Sequence, residues 1–205
     1  HLYFSVRVRF ICDDKVGHPI ELRSERSEPF IVITNESQWG DSEGLLLKMR
    51  IFGEANEVTW ECTCNHIQYH FIRSTRQDMV KPDRPLSLFD LNYLAKRCFH
   101  DKKTISRDDF DSFWNWFGLV CRRIRHQLPF HTMWINGFVW GFITRRDSER
   151  VLECEPPGTF LIRFSETNAG KVVISYVKWC GVSGVSGVGG LSGGVGGVGG
   201  VGGVG

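Results

Sequence analysis

The chain has 205 residues, 41% hydrophobic and 13% aromatic, enough length and apolar material for one packed domain or parts of two or three. A net charge of +2 and a pI of about 8.2 exclude a bulk-charge argument for nucleic acid or membrane, so any basic site must come from local clustering. The seven irregularly spaced cysteines and the lack of a signal-peptide layout point to a reduced intracellular compartment, and the longest near-apolar run, residues 134–143, is too short to span a bilayer.

The first forty residues read as strands. In LYFSVRVRFI, Phe4, Val6, Val8 and Phe10 alternate with Ser5, Arg7 and Arg9. A polar turn from Asp13 to Gly17 follows, and Pro29 opens a short apolar strand over Phe30 to Ile33. From Ser42 the period changes. EGLLLKMRIF (43–52) reads as a short helix, although the run also permits a strand. VTWECTCNHIQYHFIRSTR (58–76) sets Trp60, Cys64, Ile67 and Phe71 on one helical stripe. PLSLFDLNYLAKRCF (85–99) does the same with Leu88, Leu91, Leu94 or Ala95, and Cys98, with Ser87 as N-cap. SRDDFDSFWNWFGLVCRRIR (106–125) is the strongest helix. Ser106 and Asp109 form a capping-box pattern, and Phe110, Phe113, Trp114, Phe117, Val120 or Cys121, and Ile124 form the buried face. Arg122, Arg123 and Arg125 suit the negative end of the helix dipole, and Pro129 breaks the pattern.

A last segment runs helix, strand, loop, strand. Thr144 caps TRRDSERVLEC, PPG turns the chain, and TFLIRFS and KVVISYV flank the loop ETNAG. Residues 181–205 contain only Gly, Val, Ser and Leu and hold 14 of the 23 glycines, a composition expected to be disordered.

Three patterns carry chemistry. Arg163 sits inside an apolar strand, and burying an unpaired charge is expensive. It either snorkels from an edge strand or meets an anion. With Ser165, Glu166 and Thr167 directly after it and a turn-rich loop beyond, the arrangement suits a phosphate dianion, to which Arg145 and Arg146 could add a cation. Cys62, His66 and His70, at i, i+4 and i+8, are zinc-ligand types, but no second pair with zinc-finger spacing follows, and a helix flank is the simpler account. In CFHDKKTISRDDF (98–110), setting Ile105 at the eighth place of a calcium loop puts Cys98, His100 and Lys102 at the first, third and fifth. Lys103 then stands where glycine belongs. Calcium needs oxygen ligands there, so its binding is not expected, although a helix–loop–helix of that shape can persist. No phosphate-binding P-loop, nucleophile elbow or kinase loop is present, and no catalysis and no cofactor are expected.

GTFLIRFSET (158–167) resembles the phosphotyrosine-binding strand of Src-homology-2 (SH2) domains, in the form found in signal transducers and activators of transcription, the STAT family. WINGFVWGFITRRDSERVLECEPPGTFLIRFSE (134–166) is similar to that family's whole approach to the strand. FDSFWNWFGLV (110–120) fits its helical linker domain, and EPFIVITNESQW (28–39) fits the last strand of its immunoglobulin-like DNA-binding domain. The resemblance covers Leu2 to about Lys178.

It implies an α+β multidomain fragment. Residues 1–41 would be the last strands of the immunoglobulin-like barrel, 42–133 the helical linker, 134–180 a truncated SH2 domain and 181–205 the disordered tail. It further implies that Arg163 binds phosphotyrosine, that Ser165, Glu166 and Thr167 line the pocket, and that Arg145 stands where the family commonly has lysine. Asn35 matches a position that contacts DNA; a simple turn residue is the alternative. The chain would thus be part of a phosphotyrosine-dependent, DNA-binding transcription factor of cytoplasm and nucleus. Its partners would be DNA and a phosphotyrosine protein, either a receptor or a second copy in a homodimer or heterodimer, with no membrane insertion. The Gly/Val repeat stands where the SH2 domain's later strands, second helix and tail tyrosine are expected, which suggests a fragment. A phosphotyrosine adaptor without DNA binding and a non-functional gene-model fragment are the alternatives.

Overall fold

The computed structural model describes residues 2–10, 20–178 and 188–191. The chain divides into two compact units, His1–Leu46 and Leu47–Gly205. In the first, β1 (Arg7–Phe10) pairs antiparallel with β2 (Ile20–Arg23), Arg7 opposite Arg23 and Arg9 opposite Glu21. Arg9 and Glu21 meet at 2.8 Å. Before β1 the serines take the place of strand partners. The N–H of Phe4 donates to Ser27 Oγ (3.1 Å) and that of Val6 to Ser24 Oγ (2.9 Å).

The expected strand over Phe30–Ile33 is instead a single bridge from Phe30 to Leu2, because Pro29 offers no N–H and residues 31–33 have no ladder partner among the described residues. The face expected to be apolar is open, with Phe4 62%, Val6 56% and Val8 43% exposed. Among the described residues the expected barrel strands thus amount to one antiparallel pair and one bridge. Asn35 ends the unit's extended chain. Its Oδ1 accepts from the N–H of Ser37 at 2.9 Å and caps a 3-10 turn, Glu36–Gln38.

That turn leads into α1 (Trp39–Phe52), longer than the 43–52 expected. Then come β3 (Glu57–Thr59), α2 (Trp60–Ser74), α3 (Leu88–Phe99), β4 (Thr104–Ser106) and α4 (Arg107–His126). The antiparallel pairing of β3 with β4 sets Val58 opposite Ile105 and joins the α1–α2 loop to the α3–α4 loop. Ser87 with Asp90 and Ser106 with Asp109 both close full capping boxes, so aspartate performs the task usually given to glutamate. In the second loop Lys102 Nζ lies 2.6 Å from Asp109 Oδ1. That bond, with the Ser106 backbone contact, holds the Asp109 carboxyl down at about 2.

The α3 register differs from the expected stripe. Leu88 is 81% exposed, whereas Tyr93, Leu94, Ala95 and Phe99 are buried. The capping box fixes Leu88 at the first helical position, and buried Leu86 before the cap takes the inward place. In α4 the expected face is buried except for Trp114, which is only half-buried. Its indole lies along the helix, so that a Cβ on Gly118 would come 2.8 Å from Trp114 Cε2. A helix not expected from the sequence, α5 (Leu128–Ile135), restarts after α4 with Pro129 in its first turn, where a missing N–H costs nothing.

The last elements are α6 (Arg145–Leu152), capped by Thr144, and an antiparallel sheet of β5 (Phe160–Phe164), β6 (Val172–Val177) and β7 (Val188–Leu191) in that order. The tail expected to be disordered therefore contributes an edge strand at residues 188–191; its other residues lie outside the described ones. Tertiary pairing overrides the poor strand propensity of its glycines. On the far edge of β5, Gly141 forms a parallel bridge with Arg163.

A run of rings ties helices to sheet. Phe117 meets Phe142 at 6.1 Å, Trp134 meets Phe142 at 6.0 Å, and Phe142 meets Phe164 at 4.9 Å, all fully or almost fully buried. Each such aromatic ring removed from water contributes roughly 1.5–3 kcal/mol, so this column adds substantial cohesion between the helices and β5. No helix among the described residues is long and apolar enough to cross a membrane.

Candidate anion-binding site

β5 has both faces covered, and Arg163, in its interior, is only 6% exposed. Strand alternation puts Ile162 and Phe164 toward the aromatic column and Arg163 toward the side where α6 packs. There Ser148 of α6 and Ser175 of β6 meet at 3.2 Å, and Arg163 Nε donates to Ser175 Oγ at 3.4 Å. Arg163 Nη1 lies 3.4 Å from the carbonyl of Phe164 and 3.6 Å from Glu166 Oε2. All three contacts exceed the usual hydrogen-bond length of about 2.9–3.0 Å. The guanidinium is located but not saturated.

A cavity of about 280 Å³ opens over it, lined by Arg145, Arg163, Ser165, Glu166, Thr167, Asn168 and Val173. The structure thus brings five of the six expected anion-site residues to one pocket, although their individual situations differ. Ser165 is buried, and its hydroxyl accepts from the N–H of Asn168 at 3.0 Å, which shapes the loop. Thr167 is exposed, and its Oγ1 accepts from Asn168 Nδ2 at 3.2 Å. Glu166 Oε2 accepts from the N–H of Arg145, the first residue of α6, at 2.9 Å. Its carboxylate therefore caps that helix and faces Arg163 together. The Arg145 side chain is 73% exposed and its Nε donates to Glu149 at 2.8 Å, so it is a rim cation already engaged with a neighbour. Arg146 does not line the cavity. Among the described residues the backbone N–H groups of Glu166 and Thr167 have no acceptor, which leaves two donors at the lip.

Sequence reasoning missed Ser148, Ser175 and Asn168. Ser175 carried a signal: it is the one serine in the mostly apolar strand KVVISYV, two residues from Val173, which pairs with Arg163.

The zinc candidates do not converge. Cys62 Sγ and His66 Nδ1 lie 3.7 Å apart, half-buried, while His70 is fully buried with its ring against Trp114 at 5.3 Å. Burial first, then the charges of Arg73, Arg50 and Arg125, push the His70 pKa down to about 3. No group of three or more His, Cys, Asp or Glu able to hold a metal occurs among the described residues. Asn35, the candidate DNA contact, is exposed in the first unit with its carbonyl oxygen used as the cap.

Comparison with known proteins places these features. Residues 138–185 match the SH2 domain family, and residues 35–127 match a family described as an EF-hand fold domain, the stretch of the two loop-paired helix units. Signal transducer and activator of transcription B of Dictyostelium discoideum is 42% identical over 84% of this chain and 15% of its own length. Signal transducer and activator of transcription A of the same organism is 42% identical over 86% of this chain and 24% of its own length. The human signal transducer and activator of transcription 6 is 26% identical over 78% of this chain and 21% of its own length. The chain thus spans a quarter or less of these relatives.

Proposed function

The chain belongs to the signal transducer and activator of transcription family, and from that premise we propose that the pocket over Arg163 binds phosphotyrosine on a partner protein. The observation that carries this reading is the near-complete burial of a guanidinium whose three contacts are all longer than ordinary hydrogen bonds. A phosphotyrosine brings a charge of about −1.5 to −2 and three acceptor oxygens. Arg163 can meet two of those oxygens as a fork, and the free N–H groups of Glu166 and Thr167 can meet the third. Glu166, with a single negative charge, gives way to the dianion. Arg145 adds charge at the rim, where solvent screens it.

By this reading the protein acts by binding and not as a catalyst. Its partner is a phosphorylated receptor or a second copy of the chain, in a homodimer or heterodimer. It also contacts DNA, with Asn35 as the candidate residue, and works in both cytoplasm and nucleus. Titrating a phosphotyrosine peptide into wild type, Arg163→Lys and Arg163→Ala tests the central claim. Both variants are expected to lose roughly 2–5 kcal/mol of binding, as when one partner of a buried charge pair is removed. Wild-type affinity in Arg163→Ala would make the arginine purely structural.

A further inference from the structure

The loop between β5 and β6, residues 165–171, carries four of the pocket's seven lining residues. Its own ties are few. Ser165 N–H donates to the Lys171 carbonyl at 2.9 Å and Lys171 N–H to the Asn168 carbonyl at 3.0 Å, in addition to the Asn168–Ser165 bond. Three of its carbonyls instead face outward and accept from side chains of helices α3 and α4. Trp116 Nε1 donates to the Ser165 carbonyl at 2.9 Å, Arg97 Nη2 to the Glu166 carbonyl, and Arg123 Nε to the Gly170 carbonyl. The loop backbone also lies directly on α4. A Cβ on Gly170, whose φ is +70°, would stand 3.1 Å from Leu119 Cβ and 3.4 Å from the Leu119 carbonyl oxygen.

Two of the donors are themselves held by neighbouring rings. The Trp116 ring sits between Tyr93 (6.3 Å) and Phe142 (6.1 Å), and the Arg123 guanidinium lies 5.5 Å from the Phe130 ring. A peptide group held by its carbonyl cannot rotate freely, so fixing the carbonyls of Ser165 and Glu166 also fixes the N–H groups of Glu166 and Thr167, which belong to the same peptide units. Those N–H groups are the two unpartnered donors at the pocket lip.

We infer that Arg97, Trp116 and Arg123 are positioning residues for the anion pocket, through which the helical region orients a phosphate-binding loop that its side chains never share with the ligand. This deepens the phosphotyrosine reading and rests on it for the identity of the anion. Preorganised donors bind more tightly because less freedom is lost on binding. Removing one clamp should therefore weaken binding without removing any ligand contact.

The test uses the intact chain and a short phosphotyrosine peptide with wild type, Arg97→Gln, Trp116→Phe, Arg123→Gln and the conservative Arg123→Lys. Backbone hydrogen exchange over residues 166–170 and the Trp116 indole N–H resonance are followed in parallel. The expected result is about tenfold weaker binding for each of the three disruptive variants, the net worth of roughly one hydrogen bond, with faster loop exchange. Arg123→Lys should recover much of the loss. In wild type the indole N–H resonance should shift when peptide fills the pocket. Folded variants with wild-type affinity and wild-type loop exchange would overturn the inference. If wild type binds no phosphopeptide while the variants still accelerate loop exchange, the clamp stands and the phosphotyrosine reading fails.

Discussion

Replacing Gly141 with alanine should damage both stability and the pocket. Gly141 has φ +94°, a conformation that side chains rarely adopt, and a Cβ there would come 2.7 Å from Trp134 Cζ3 and 3.2 Å from Trp134 Cη2. Trp134 is fully buried against Phe71, Phe142 and Phe164, so its ring has little space to move. Backbone strain of this kind costs about 1–3 kcal/mol and forced overpacking about 1–3 more, so a loss of roughly 2–6 kcal/mol is expected. The damage should also reach Arg163. Gly141 N–H donates to the Ile162 carbonyl at 3.2 Å and its carbonyl accepts from Phe164 N–H at 2.9 Å, the two residues on either side of the arginine. Two other glycines separate the contributions. Gly53, at φ +51° with open space around the Cβ position, reports strain alone, so Gly53→Ala should cost about 1–2 kcal/mol. Gly40, helical with open space, should give a neutral or slightly stabilised alanine variant. Urea unfolding of the three variants, with phosphopeptide titration of Gly141→Ala, measures all of this. A Gly141→Ala loss below about 0.5 kcal/mol, the range of an ordinary surface change, would refute the packing argument.

Glu166→Gln should bind phosphotyrosine peptide more tightly, because the competing carboxylate beside Arg163 becomes neutral. The same change should cost about 0.3–1 kcal/mol of stability as α6 loses an anion at its N-terminus, and weaker binding in a titration would count against the displacement account. Phe117→Ala should cost about 3–5 kcal/mol in chemical denaturation, and Trp114→Ala distinctly less, since only Phe117 is fully enclosed. His70, lowered from 6.5 to about 3, stays neutral in the folded chain while the unfolded chain takes up a proton. Its contribution is therefore full above pH 6.5 and is lost as pH falls toward 3, at about 1.4 kcal/mol per unit. His70→Leu should flatten that limb of a stability–pH curve, and an unchanged slope would place the acid sensitivity elsewhere.

What the sequence made legible was local. The capping box at Ser106, the caps at Ser87 and Thr144 and the buried face of α4 each depend on residues three or four apart, and each stands in the structure apart from half-buried Trp114. That Arg163, Ser165, Glu166 and Thr167 lie around one cavity was legible for the same reason, as they are neighbours on one strand and its loop. The residues that complete the site were not. Ser175 lies 12 positions from Arg163, and Trp116, Arg97 and Arg123 lie 47 to 69 positions from the carbonyls they hold. No periodicity in a single chain encodes such distances. The Phe30–Ile33 expectation failed because strand propensity says nothing about a missing ladder partner, and β7 escaped because a waiting sheet edge outweighed its glycines. Leu88 failed because the cap, rather than the apolar count, sets where a helix begins its first turn.

The bond between Lys102 and Asp109 changes what the paired helix–loop–helix region can be. In sensor proteins of that shape, an arriving cation brings the loop's last carboxylate into place and swings the helices apart. Here the positive charge is part of the chain, seven residues from the carboxylate it meets. The carboxylate therefore has a counterion supplied by the chain itself. Helices α3 and α4 are then tied at their junction by a contact internal to the chain, and the same two helices carry the Arg97, Trp116 and Arg123 side chains that hold the β5–β6 loop carbonyls.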